Sequence, residues 1–175
     1  MALTAWRFYD LMPQKEFSPQ TFSTENTLNH IKKIAEKPHF VGSKSHAEVK
    51  EYIISELQKI GLTTEVQKGY TSGDWGNLSY AQNIVAKIDG SEEGKALVLM
   101  SHYDSNPHSS LGASDDAVGV AVILEGIRSY LEAGKKPKND IIVLFTDAEE
   151  LGLNGAQLFV NESPLKTILD SSSIL

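Results

Sequence analysis

Three short clusters of ionisable residues give this chain its chemical character. The first contains His102 and Asp104, the second contains Asp115 and Asp116 between two glycines, and the third is an Asp-Ala-Glu-Glu run at residues 147–150. Imidazole and carboxylate groups are the usual donors of catalytic zinc sites, in which about three protein ligands leave one position open for water or substrate. Together the clusters predict a metal-hydrolase centre.

His102 and Asp104 are two residues apart, and in an extended segment residues at that spacing point to the same face. The Asp104 carboxylate can then accept the second imidazole N–H of His102. A metal-ligating histidine needs such a partner, which fixes its tautomer and ring orientation. We therefore predict His102 as a metal ligand and Asp104 as the residue that orients it.

Asp115 comes just before a predicted helix, where a carboxylate can bridge two metal ions, and Asp116 is equally well placed to cap that helix. Glu149 and Glu150 are adjacent, so their side chains diverge, which suits one metal ligand and one general base acting on a metal-bound water. Each residue alone fits an ordinary helix cap or solvated turn. Their occurrence together, in order, favours a site.

The remaining histidines receive no role from the sequence. His108 lies in a polar loop without a carboxylate partner in register, and we predict that it is exposed. His30, His39 and His46 fall on or near two predicted helices, away from the strand ends, and are interpreted as surface or packing residues.

Composition limits the classes of partner and site. The 175 residues suit one globular domain, and the net charge of -7 argues against nucleic acid or an anionic membrane as a partner. The absence of cysteine excludes disulfides and thiolate metal sites. Residues 1–22, predicted as an N-terminal extension, are interrupted by charges well short of the roughly 20 apolar residues of a membrane span. Membrane association is therefore not expected, and the compartment is left open.

The predicted elements alternate between helix and strand. Two apolar runs at residues 96–100 and 141–145 are typical of strands buried on both faces, and the helical pattern at 117–131 connects them. A further helix is predicted at 24–36, and a second begins at a capping box formed by Ser45 and Glu48. Two further strands are predicted at 62–67 and 83–88. The fold class is α/β, with a mixed, largely parallel sheet flanked by helices. Two of the clusters follow buried strands, and ligands bind at that edge of open α/β sheets.

These motifs resemble the M28 family of zinc-dependent peptidases, with its membrane-associated branch as the nearest match. The resemblance extends through the turn at residues 38–43, the Asn-Ile-Val-Ala strand at 83–86 and the Gly-Leu-Asn-Gly-Ala run at 152–156. It implies a zinc-aminopeptidase/phosphorylase-like α/β fold and the removal of N-terminal residues from peptide substrates. A related M20-like carboxypeptidase or deacylase has similar metal motifs, but the Asn-Ile-Val-Ala strand favours M28.

The resemblance also implies individual roles. His102 binds one zinc, Asp115 bridges two zinc ions, Glu150 binds the second, Glu149 is the general base and Asp104 orients His102. It further implies a cis peptide bond between Asp115 and Asp116.

The family pattern continues with another carboxylate ligand and a later histidine, neither of which this sequence contains. We therefore expect residues 23–175 to form an incomplete, C-terminally truncated peptidase domain in which each zinc lacks one protein ligand. An open sheet edge would then be available to a partner chain. An inactive chain that acts only as a binding module is the non-enzymatic alternative.

Overall fold

The computed structural model describes residues 21–73, 76–108 and 110–163, together with the backbone of residues 173–174. Most of the predicted N-terminal extension, and the tail up to residue 172, lie outside these residues. In chain order the elements are α1 (Thr24–Ile34), α2 (Lys44–Lys59), β1 (Thr64–Ser72), β2 (Leu78–Ile88), β3 (Leu97–His102), α3 (Val118–Glu132), β4 (Ile141–Thr146), α4 (Asn154–Glu162) and β5 (Ser173–Ile174). None of the described helices has the length and apolar composition of a membrane span.

The sheet has the strand order β1-β2-β4-β3-β5. β1 and β2 form an antiparallel hairpin, and β2 also runs antiparallel to β4. β3 pairs in parallel with β4 on one side and with the short β5 on the other. The predicted mixed α/β class is confirmed, and the parallel pairing lies in the half of the sheet that carries the ionisable clusters.

Helices cover both faces of the sheet. The larger core joins Ile53 and Leu57 of α2 and Val120 of α3 to Ile84 and Phe145 of the sheet, all fully buried. The smaller core, on the other face, includes Phe159 of α4. Each such buried side chain contributes about 1.5–3 kcal/mol, so the cores hold the strand ends in place.

The prediction that β3 is buried on both faces was wrong for one residue, because Met100 is 40% exposed. The reason is that α4 packs mainly over β1 and β2, whereas α3 covers the opposite face of β3. β4, between β2 and β3, is buried along almost its whole length, as predicted.

Two local predictions need correction. The cap of α2 is Ser43, not Ser45: the Ser43 hydroxyl accepts the His46 N–H at 3.1 Å, and Gly42, with φ at 83°, turns the chain into this cap. The hairpin strands also extend further than predicted, to Ser72 and from Leu78. The cross-strand Tyr70–Tyr80 pair, with ring centroids 4.8 Å apart, supports that extension.

A buried carboxylate ties α1 to α3. Glu125 is fully buried and accepts the Ser23 N–H at 2.6 Å and two Arg128 guanidinium hydrogen bonds at 2.6 and 2.7 Å. Ser23 is in turn the N-cap of α1, where its hydroxyl accepts the Asn26 N–H. Burial acts to raise the pKa of Glu125, but the hydrogen bonds from Arg128 and Ser23 outweigh it and hold the pKa below 4.5, its ordinary value.

Replacing Glu125 with glutamine should destabilise the protein by about 3 kcal/mol, because the partly buried Arg128 guanidinium loses the charge of its fully buried carboxylate partner. A folded pKa below the unfolded value means that this stabilisation is fully present above about pH 4.5 and is lost as the pH falls through the folded pKa. Urea unfolding at several pH values measures it. Glu132 also pairs with Arg128 but is more exposed, so Glu132→Gln is the control and should lower the free energy of unfolding far less. A difference between wild type and Glu125→Gln that stays constant down to pH 3 would contradict this assignment.

Candidate functional site

The three ionisable clusters meet at the carboxyl ends of β3 and β4. His102 ends β3 and lies opposite Thr146, which ends β4. Its Nε2 atom is 3.1 Å from Oδ1 of Asp115 and 3.9 Å from Oε2 of Glu149. Residues from all three clusters therefore lie close together, as predicted from the position of two of the clusters at strand ends.

The hydrogen bonds of His102 fix its orientation. Its Nδ1 lies 3.0 Å from the carbonyl oxygen of Asp104 and 3.5 Å from the Asp104 carboxylate. Both groups are acceptors, so Nδ1 carries a proton and Nε2 faces Asp115. The nearer acceptor is the backbone carbonyl, whereas the sequence pointed to the carboxylate.

Burial and the neighbouring charges have opposite effects on the protonation of His102. Burial acts to lower the pKa of His102, but the hydrogen bond and charge of Asp104, the Asp115 hydrogen bond and the charge of Glu149 together raise it to about 9. The imidazole therefore carries two protons at neutral pH.

The Asp104 carboxylate has a second contact that the sequence did not reveal. It is fully buried, and its two oxygens accept the backbone N–H groups of Glu149 at 3.0 Å and Glu150 at 3.2 Å. Ala148, just before them, adopts a left-handed conformation with φ at 55°. Asp104 therefore joins the end of β3 to the turn that carries both glutamates.

The two adjacent aspartates have different surroundings. Asp116 accepts the Gly119 N–H at 3.0 Å and the Ser101 hydroxyl at 2.6 Å, so it caps the start of α3. Asp115 is 74% exposed and points to His102. The peptide bond between the two aspartates is cis, as the resemblance implied. A Cβ at Gly119 would lie 2.5 Å from the Asp116 carboxylate, so this cap requires glycine.

Glu149 and Glu150 begin a single tight turn and their side chains diverge, as predicted. Glu149 points to His102, whereas Oε2 of Glu150 accepts the Asn106 amide at 2.8 Å. Burial raises the pKa of Glu149, and the charges of neighbouring carboxylates, Asp104 among them, add to this rise against the lowering effect of His102. A carboxylate with a raised pKa is a stronger base.

One interpretation of the other histidines was wrong. His108 is exposed, as predicted, and His30 is half-buried beside Tyr52. His39 and His46 are only 1% and 3% exposed, which agrees with the packing alternative. The placement of His46 away from the strand ends was wrong, because His46 hydrogen-bonds Asp147 directly after β4. The start of α2 folds over the strand ends, a contact between residues far apart in the chain that hydrophobic periodicity does not encode.

The donor set fits zinc in kind. It consists of one imidazole and several carboxylates, which zinc accepts readily. His102 and Asp115 are the close pair, with Nε2 of one facing Oδ1 of the other. Among the described residues, no group of three or more His, Asp or Glu side chains is arranged to hold a metal ion.

Solved structures share this fold. A glutaminyl cyclase from Porphyromonas gingivalis superposes with a TM-score of 0.73 at 24% identity, over 83% of this chain and 55% of that one. A Zn-dependent exopeptidase from Parabacteroides distasonis gives a TM-score of 0.69 at 22% identity, over 84% of this chain and 58% of that one. The chain therefore has the zinc-aminopeptidase-like α/β fold.

Sequence comparison identifies the family within this class. The model of peptidase family M28 matches residues 83–171, which include every predicted site residue. A vacuolar membrane protease from Candida tropicalis is 32% identical over 171 residues, which cover 90% of this chain and 18% of that protein. The chain belongs to peptidase family M28, which decides against the M20-like alternative. It spans less than a fifth of the length of that relative.

Proposed function

We propose that this site serves the zinc-dependent hydrolysis of peptide bonds. His102 and Asp115 would hold one zinc, and Asp115 and Glu150 would contribute to a second. Glu149 would be the general base. The observation that carries the proposal is the approach of Asp115 and Glu149 to within 3.1 and 3.9 Å of His102 Nε2, in a chain of family M28.

Each residue has a defined task in this proposal. Zinc, when bound, supplies a Lewis acid that polarises the peptide carbonyl and lowers the pKa of water. Glu149 takes a proton from the attacking water and returns it to the leaving amine. Asp104 holds the Nδ1 proton of His102 through its carbonyl and the Glu149 amide through its carboxylate. Asp116 holds the start of α3, so that Asp115 stays beside His102.

The proposed substrates are peptides with a free amino terminus. The exopeptidase fold of the solved neighbour is consistent with removal of terminal residues. A binding module without catalysis is the alternative, and the experiment below separates the two.

The first test is the amount of zinc bound by the purified protein after dialysis against a small excess of metal. We expect bound zinc that is lost in Asp115→Asn and retained in Asp89→Asn, an aspartate whose side chain is 86% exposed and away from the site. The zinc-loaded protein should hydrolyse an aminoacyl amide and leave its N-acetylated form intact. Equal zinc in wild type and Asp115→Asn would overturn the metal assignment. Bound zinc without hydrolysis would favour the binding module.

A further inference from the structure

A buried histidine lies directly behind the candidate metal site. His46, in the first turn of α2, is 3% exposed. Its Nε2 lies 2.7 Å from Oδ1 of Asp147, and its ring stacks on Tyr103 with centroids 5.0 Å apart and an interplanar angle of 11°. A carboxylate accepts hydrogen bonds, so Nε2 is the donor. His46 therefore contacts the residues that directly follow the ligand-bearing strand β3 and the strand β4.

The Asp147 oxygen that accepts from His46 also accepts the Ala148 N–H at 2.8 Å. The other carboxylate oxygen accepts the Gln82 N–H at 2.9 Å, and the Asp147 N–H donates to the Asn83 side chain at 3.0 Å. Ala148 is fully buried in its left-handed conformation. His46 thus holds the same oxygen that stabilises the left-handed residue before Glu149.

Tyr103 carries the other half of the connection. It lies between His102 and Asp104, is 1% exposed, and its hydroxyl donates to the Gln82 carbonyl at 2.9 Å. Stacking on His46 fixes the ring plane as well as the hydroxyl position. The Tyr103 side chain therefore connects the end of β3 to both His46 and β2.

We propose that His46 is a positioning residue of the metal site. Through Asp147 it fixes the turn that presents Glu149 and Glu150, and through Tyr103 it fixes the strand end that presents His102. Residues behind a metal ligand typically change metal affinity about 10–100-fold when they are replaced. The inference rests on the proposed zinc function, but the positioning of the turn is measurable in the protein without metal.

The test separates the hydrogen bond of His46 from its ring stacking. His46→Phe keeps an aromatic ring against Tyr103 and removes the donor, whereas His46→Gln supplies a donor without the ring. His30→Phe is the matched control, since His30 also bonds a neighbouring helix, at 2.6 Å from the Tyr52 hydroxyl, but contacts neither strand end. The readouts are amide hydrogen exchange of Glu149 and Glu150 without metal, and the zinc dissociation constant by chelator competition.

In His46→Phe we expect both amides to exchange at least about 10-fold faster and zinc to bind about 10-fold more weakly. His46→Gln should recover part of each effect, and His30→Phe should match wild type. Exchange within about twofold of wild type in His46→Phe, whatever its thermal stability, would show that His46 only packs. Asp147→Asn leaves a single acceptor oxygen for the donors of His46, Ala148 and Gln82. It therefore weakens the same contact from the other side and replaces the comparison if His46→Phe does not fold. Zinc binding insensitive to Asp115→Asn would defeat the proposed function, while amide exchange would still decide the role of His46.

Discussion

Glu149→Gln should lower the rate of peptide-bond hydrolysis by about 10³-fold, within the range of general acid–base catalysis, and leave zinc affinity almost unchanged. Oε2 of Glu149 lies 3.9 Å from Nε2 of His102, close to the zinc ligands without a hydrogen bond to them. Glutamine has the same size and keeps the turn, but its amide cannot take a proton from water. The measurements are kcat and KM for an aminoacyl amide, with the zinc dissociation constant determined on the same preparation.

Glu150→Gln is the informative companion, because the two residues are adjacent and differ in their assigned roles. Glu150 is proposed as a zinc ligand, so its replacement should weaken zinc binding, and added zinc should restore part of the activity. Glu149→Gln should not respond to added zinc. A loss of zinc in Glu149→Gln would make Glu149 a ligand, and activity within fivefold of wild type would exclude it as the general base.

The two buried strands and the helix between them were predictable because each is encoded by the hydrophobic pattern of one continuous stretch of sequence. The apolar runs at 96–100 and 141–145 became β3 and β4, and the helical pattern between them became α3. The cap of α2 was not predictable from the capping-box pattern, since Ser43 and Ser45 are both candidates and the choice depends on the turn at Gly42. Met100 was misjudged because sequence does not show which strands α4 covers.

The candidate site also has residues that the sequence predicted and contacts that it did not. His102, Asp115 and Glu149 are recognisable because each belongs to a short cluster beside a strand end, and the structure brings them together. His46 is separated from Asp147 by 101 residues, and Asn106 from Glu150 by 44, so no local pattern relates them. The sequence feature that indicated a buried partner was Asp147, because a carboxylate at the end of a buried strand needs such a partner.

Asp104→Asn should have the second largest effect on this site, and it should act through geometry. The Asp104 carboxylate accepts two backbone N–H groups, one from Glu149 and one from Glu150. Asparagine offers one oxygen and one amino group, so one of these N–H groups loses its acceptor and meets a donor instead. We expect a loss of about 2–3 kcal/mol in the free energy of unfolding and a fall of about 10–100-fold in zinc affinity and activity.

Asp140→Asn distinguishes this positioning effect from a general loss of stability. Asp140 also accepts a backbone N–H, from Gly90 at 2.8 Å, and pairs with Lys87, but it lies at the opposite end of β4. Its replacement should lower stability and leave zinc affinity and kcat near wild type. If both variants reduce zinc affinity in proportion to their loss of stability, Asp104 has no specific effect on the site. If only Asp104→Asn reduces it, the carboxylate that joins β3 to the Glu149 turn sets the geometry on which zinc binding depends.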